Sequence, residues 1–192
     1  MKSALTAAVA AIALTVVAIA LIGWHLRAVE PPALEIATSP LVLDRNGQLL
    51  RAFTVEDGRW RLPVRHDEVD PLYLQMLLAY EDRRFFSHGG VDLRALLRAL
   101  VQAMQHLRIV SGGSTLTMQV VRLHAGLETG SLRDKWQQLG GALALERLLD
   151  KDQVLDAYLN LAPFGGNLEG IRSASLAWLG REPGRLTPAQ AA

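Results

Sequence analysis

Apolar residues fill the start of the chain and later fall into patterned groups. From Ser3 to Leu26 there is no Asp, Glu, Lys or Arg, a run longer than the roughly 20 residues a helix needs to cross a hydrocarbon core. Further on, Leu41–Leu43 and Gln48–Phe53 flank Asp44-Arg-Asn-Gly47, which predicts a hairpin with Asn46-Gly47 as its turn. Glu56-Asp-Gly58 is a second turn before Trp60–Val64, so the region reads as a small β element. The pattern becomes helical at Asp70, an N-cap followed by Pro71 at the first helical position, and stays so to about Tyr80. After Asp92, the residues Leu93, Leu96, Leu97, Leu100, Val101 and Met104 recur at spacings of three and four. They predict a helix with one buried stripe, its other face carrying Arg94, Arg98, Gln102 and Gln105. Ser111-Gly-Gly-Ser114 breaks the pattern and opens a third helix near Thr115. Ser131 with Asp134, and Asp150 with Gln153, read as capping boxes for a fourth and a fifth. Gly140-Gly141 predicts a kink in the fourth. Pro163–Gly166 reads as a loop before short helical stretches, and Pro188–Ala192 begins another helix.

A chain of 192 residues allows one domain plus extras, and its mean hydropathy of +0.17 owes much to the N-terminus. The apolar run has two readings. As a signal peptide, it has Lys2 for its charged region and Ala18-Ile-Ala20 for a cleavage site. Its length, beyond the roughly 7–15 residues of such a core, and Trp24 and His25 at an interfacial position favour an uncleaved anchor. Lys2 favours a cytoplasmic N-terminus, which Arg27 partly offsets. The expected organisation is a stub and transmembrane anchor over 1–26, a linker over 27–40 bearing Pro31, Pro32 and Pro40, and one C-terminally incomplete domain over 41–192 outside the cytoplasm. Lys2 aside, basic and acidic residues balance, so nothing points to nucleic acid. Without cysteine there is no disulfide framework and no thiolate metal site.

Two segments are denser in polar residues than a core requires. Glu81-Asp-Arg-Arg-Phe-Phe-Ser-His88-Gly-Gly-Val-Asp92 sets carboxylates, guanidinium groups and a histidine at a helix end. Gly112-Gly-Ser-Thr-Leu-Thr-Met-Gln119-Val-Val-Arg122 leads glycines into a helix N-terminus bearing hydroxyls, a ready anion site. Taken singly, the first is as well read as a solvated turn and the second as a helix cap.

In this order and spacing the two resemble glycosyltransferase family 51, the peptidoglycan glycosyltransferase domain of class A penicillin-binding proteins. Glu81, Asp82, Phe85, His88 and Gly90 match its motif Glu-Asp-x-x-Phe-x-x-His-x-Gly, and Gly112, Ser114, Thr115, Thr117 and Gln119 match Gly-x-Ser-Thr-x-Thr-x-Gln. Lys135, Leu145-Glu146, Lys151, Val154-Leu155 and Tyr158-Leu-Asn160 fit the third region. The resemblance covers roughly residues 40–192. Met118, Trp60-Arg-x-Pro-Val64 and Ala162-Pro-Phe-Gly-Gly166 are similar to the penicillin-binding protein 1C branch. Such proteins continue into a transpeptidase domain, whose Ser-x-x-Lys and Lys-Thr-Gly motifs do not occur in these residues.

The resemblance implies a mainly α, lysozyme-like fold with a small membrane-dipping lobe. It also implies a reaction at the outer face of a bacterial inner membrane. The growing glycan on its lipid pyrophosphate is the donor, and the 4-hydroxyl of lipid II attacks the anomeric carbon with inversion. Glu81 matches the catalytic base, with pairing to Arg83 or Arg84 as its structural alternative. Arg98, Arg122 and Lys135 match cations near the pyrophosphate; Asp82, Phe85, His88, Ser114, Thr115 and Gln119 are expected to bind substrate or shape the site. Possible partners are other wall-synthesis proteins. A divalent cation such as Mg2+ is implied too, but Gln138 stands where the pattern has its second essential Glu, and a neutral amide is a weaker ligand. With Lys135 three residues away on the same helix face, Gln138 is expected to open onto the cleft that holds Glu81. Two other readings stay open: a non-catalytic scaffold that binds lipid II, and a lysozyme-like hydrolase working with paired carboxylates.

Overall fold

The computed structural model describes residues 17, 21, 23–26, 28–106 and 112–192. Most of the expected anchor lies outside the described residues, and among those described no helix is long and apolar enough to cross a membrane.

The hairpin forms as its turn dictates. Strands β1 (Leu41–Leu43) and β2 (Leu49–Ala52) pair antiparallel, and Asp44 Oδ1 accepts from the amides of Asn46 and Gln48. The next strand does not extend to Val64. Strand β3 (Trp60–Arg61) pairs in parallel with β4 (Leu168–Glu169), a partner the sequence did not disclose. Charge fixes that pairing: Arg61 Nε donates to Glu169 Oε2 at 2.8 Å, and Arg59 pairs with the same buried carboxylate.

Five helices build the body. Helix α1 (Pro71–Glu81) starts where Asp70 accepts from Leu72 N. Helix α2 spans Leu93–His106, α3 Leu116–His124, α4 Leu132–Leu145 and α5 Lys151–Leu161. Asp150 and Gln153 form the expected capping box of α5, whereas at α4 Ser131 accepts from Asp134 N. Short helices α6 (Ile171–Ala174) and α7 (Pro188–Ala191) close the fold. Leu116, Val120, Val121, Leu145, Val154, Leu155 and Leu159 are the centre of the core, where α3 packs between α4 and α5.

Three expectations are corrected. Helix α4 runs unbroken through Gly140-Gly141. The glycines serve close approach: a Cβ on Gly141 would sit 2.7 Å from Val121 of α3, and one on Gly140 would sit 2.9 Å from Val29. The stripe on α2 is not buried, since Leu93, Leu97, Val101 and Met104 are 75, 63, 44 and 70 % exposed. Periodicity defines an apolar face, and these four residues of it stay exposed among the described residues. Last, the linker is strapped to the body. Arg147 donates to Val29 O, His124 Nε2 lies 2.9 Å from Ala33 O and Arg61 donates to Ala37 O. Ser39 and Arg61 exchange two further bonds, while Leu34 and Ile36 pack on the core.

Candidate active site

Glu81 is the last residue of α1 and is half-buried. Gln119 Nε2, on α3, donates to Glu81 Oε2 at 2.8 Å. Neither Arg83 nor Arg84 takes up the alternative pairing, as Arg84 donates to Asp92 at 2.9 Å. Asp92 also receives the Arg94 and Ala95 amides. Burial raises its proton affinity, but those amides and Arg84 outweigh burial and hold the carboxyl below its ordinary range.

Glu81 stands between two hollows. One, of about 350 Å³, is lined by Arg83, Arg84, Arg98, Asp82, Ser114 and Thr115 among others. The second, of about 540 Å³, is mostly apolar and is lined by Tyr73, Met76, Leu77, Tyr80 and Phe164. Two tyrosines feel the Glu81 charge. Burial, followed by Glu81, pushes the Tyr158 hydroxyl up to about 12, against the pull of Arg122. Burial, then Tyr158 and Glu81, raises Tyr73 further.

Behind the basic hollow lies a cationic pair. Lys135 Nζ donates to Ser114 Oγ at 2.5 Å. Burial and the nearby Arg122 guanidinium both depress the Lys135 ammonium below its ordinary value. Among the described residues no carboxylate forms an ion pair with Arg98, Arg122 or Lys135.

Other predicted residues turn inward. Phe85 is 1 % exposed and belongs to the core, with Lys151 Nζ 4.4 Å from its ring centre. The His88 side chain is 5 % exposed, and its Nε2 donates to Asp82. Asp82, itself buried, accepts from Leu116 N at the first position of α3. Thr115 caps α3 and donates to Gly90 O at 2.6 Å. Gly90 has φ +86, and a Cβ there would meet the Ala142 carbonyl oxygen at 2.5 Å, which explains the glycine. So Phe85 and His88 form the floor beneath the site, and Asp82 and Thr115 tie that floor to its wall. The half-buried Glu146, accepting from Lys151 and Thr117, joins α3, α4 and α5.

Gln138 departs from its expected place. It is 5 % exposed and is not among the described residues lining the hollow beside Glu81. Its Oε1 faces Lys135 Nζ at 3.4 Å, so it supports the lysine from behind. Gln138 offers a neutral amide oxygen already turned to the Lys135 ammonium, and among the described residues no three His, Cys, Asp or Glu side chains gather as a metal site. The residues present do not fit a divalent ion at Gln138.

The sequence model of the Transglycosylase family matches residues 46–192, which include every residue of this site. The chain belongs to the transglycosylase family. Penicillin-binding protein 1C of Escherichia coli is 44 % identical over 164 residues, covering 84 % of this chain and 21 % of that protein. Penicillin-binding protein 1A of Pseudomonas aeruginosa is 34 % identical over 140 residues, 73 % of this chain and 17 % of the relative. A biosynthetic peptidoglycan transglycosylase of Cupriavidus metallidurans is 34 % identical over 139 residues, 69 % of this chain and 59 % of the relative. The chain thus spans about a fifth of the penicillin-binding relatives it matches.

Proposed function

We propose that this transglycosylase domain polymerises lipid II into β-1,4 glycan strands, with Glu81 as general base, in bacterial cell-wall synthesis. The observation that carries this reading is the position of Glu81 between a basic hollow and an apolar, aromatic one. Donor pyrophosphate suits the first and the acceptor sugar the second. The acceptor 4-hydroxyl oxygen attacks the anomeric carbon while its proton passes to Glu81. The bond from that carbon to the pyrophosphate oxygen breaks, and its electron pair leaves with the phosphate. Charge therefore grows where Arg98, Lys135 and Arg122 stand, and cations placed beforehand lower the barrier. An anion between Lys135 and Arg122 also relieves their mutual repulsion.

Both substrates carry lipid tails, so the site belongs at a membrane surface. The exposed apolar side chains of α2, with Phe86 nearby at 61 % exposure, make a lobe suited to a bilayer. The apolar run over 1–26 is assigned as the anchor, and the domain to the extracytoplasmic face of the inner membrane.

Glu81→Gln keeps the shape and removes the proton acceptor. Polymerisation of purified lipid II is expected to fall about 10²–10⁴-fold. Full activity in the folded variant removes the base assignment. Lipid II binding without polymer in the unmutated protein returns a scaffold, and clearing of isolated peptidoglycan in a gel returns a hydrolase.

A further inference from the structure

We propose that Gln119 is a positioning residue that gives the two oxygens of Glu81 different tasks. The inference rests on the assignment of Glu81 as base. An ionised carboxylate only accepts, so the Gln119 amide must present its N–H2 to it. That donor occupies Oε2 at 2.8 Å. That bond lowers the basicity of Oε2, so Oε1 is the better oxygen to take the acceptor hydroxyl's proton.

The arrangement is braced on both sides. Asp82, the next residue, accepts from Leu116 N at 3.0 Å, and His88 Nε2 holds Asp82 from behind. Gln119 lies three residues after Leu116 and donates its backbone N–H to Thr115 O at 3.0 Å. The first turn of α3 thus grips two consecutive carboxylates, one through a backbone amide and one through a side chain. Asp82 is sealed in, while Glu81 borders both hollows and, among the described residues, its Oε1 has no hydrogen-bond partner. The groups facing this pair are Tyr73 on α1, Tyr158 on α5 and Arg122 on α3, with Lys135 of α4 beside Arg122. Arg83, Arg84, Asp92 and Arg98 look in across the basic hollow. Gln119 is a neutral donor, so it orients the carboxylate without neutralising its charge. One of the two N–H groups of the Gln119 amide is committed to Glu81, which holds the amide beside the carboxylate.

The test is the pH dependence of kcat and KM for lipid II polymerisation by the full chain in detergent. Gln119→Met, similar in length but without a donor, is expected to lower kcat about 10²-fold, the size of a small misplacement of a reacting group, with KM nearly unchanged. Gln119→Glu keeps the shape and sets a second carboxylate against Glu81. It is expected to move the acid limb of the kcat profile upward by about one unit or more, because like charges favour a shared proton. A Gln119→Met variant with raised KM and unchanged kcat would show a substrate contact and overturn the proposal. So would an acid limb that stays in place in Gln119→Glu. Glu81→Gln, run in parallel, separates the readings: if it retains activity the base assignment itself has failed, whatever Gln119 does.

Discussion

Side by side in the chain, Glu81 and Asp82 meet different surroundings, because the helix ends between them and the next bond turns inward. Asp82→Ala strips the Leu116 N–H and the His88 Nε2–H of their acceptor. A buried polar group left unpaired costs about 1–3 kcal/mol, so urea denaturation is expected to show a loss of about 2–5 kcal/mol. Glu81→Gln is expected to stay within about 0.5 kcal/mol. Equal effects would mean the two carboxylates do not divide structure from chemistry. Lys135 offers a second measurement. Its depressed ammonium means that, between that lowered value and the ordinary 10.5, the unfolded chain holds more protons than the folded one. The penalty is fully present below this window and disappears as the pH rises through it. Relative to Lys135→Met, the urea midpoint of the unmutated protein is therefore expected to climb with pH there. Parallel pH profiles would show that Lys135 is not strained. Motif spacing made most of these residues legible, but it could not tell which faced a ligand. Asp82, Phe85 and His88 are as regular in the pattern as Glu81 and yet serve the floor. Gln138 shares a helix face with Lys135 as expected, but its own side chain is buried against that lysine.

At the scale of elements, caps were the most readable signals. Asp70, Thr115, Ser131 and Asp150 each begin the helix their side chains predict, because a short polar side chain at a helix start has a local partner. Burial was less readable, since a helical period says which residues share a face and nothing of what lies opposite. Helix α2 shows the difference. A buried leucine exchanged for a polar residue would unfold a domain of this size, whereas Leu97→Glu is expected to change the unfolding free energy by no more than about 0.5 kcal/mol. The same variant is expected to reduce co-sedimentation with phospholipid vesicles. Undiminished vesicle binding would remove the α2 face from the membrane contact. Strand β3 lies within the Trp60–Val64 stretch read as β, but its partner β4 was not legible: the two join through the Arg61–Glu169 pair 108 positions apart, a contact without local signature.

At the scale of the molecule, the body is assembled around α3, whose first turn serves the site and whose flank is the core. That double duty is why the polar motif and the apolar pattern overlap over Leu116–Val121, and why both could be read from one stretch. The segment from Val29 to Ser39 shows the reverse, since prolines and sparse hydrophobics describe a tether and the structure lays it along the body by scattered bonds to Arg147, His124 and Arg61. A flexible stretch of a dozen residues would let its ends drift apart by about 20 Å, comparable with the roughly 30 Å of a bilayer's hydrocarbon. Lashed down, the same stretch behaves as a mooring of fixed draught. With the anchor proposed above in a bilayer, a cleft carried on it would neither sink nor float away from the plane in which lipid-borne substrates diffuse, and the encounter would become a search in two dimensions.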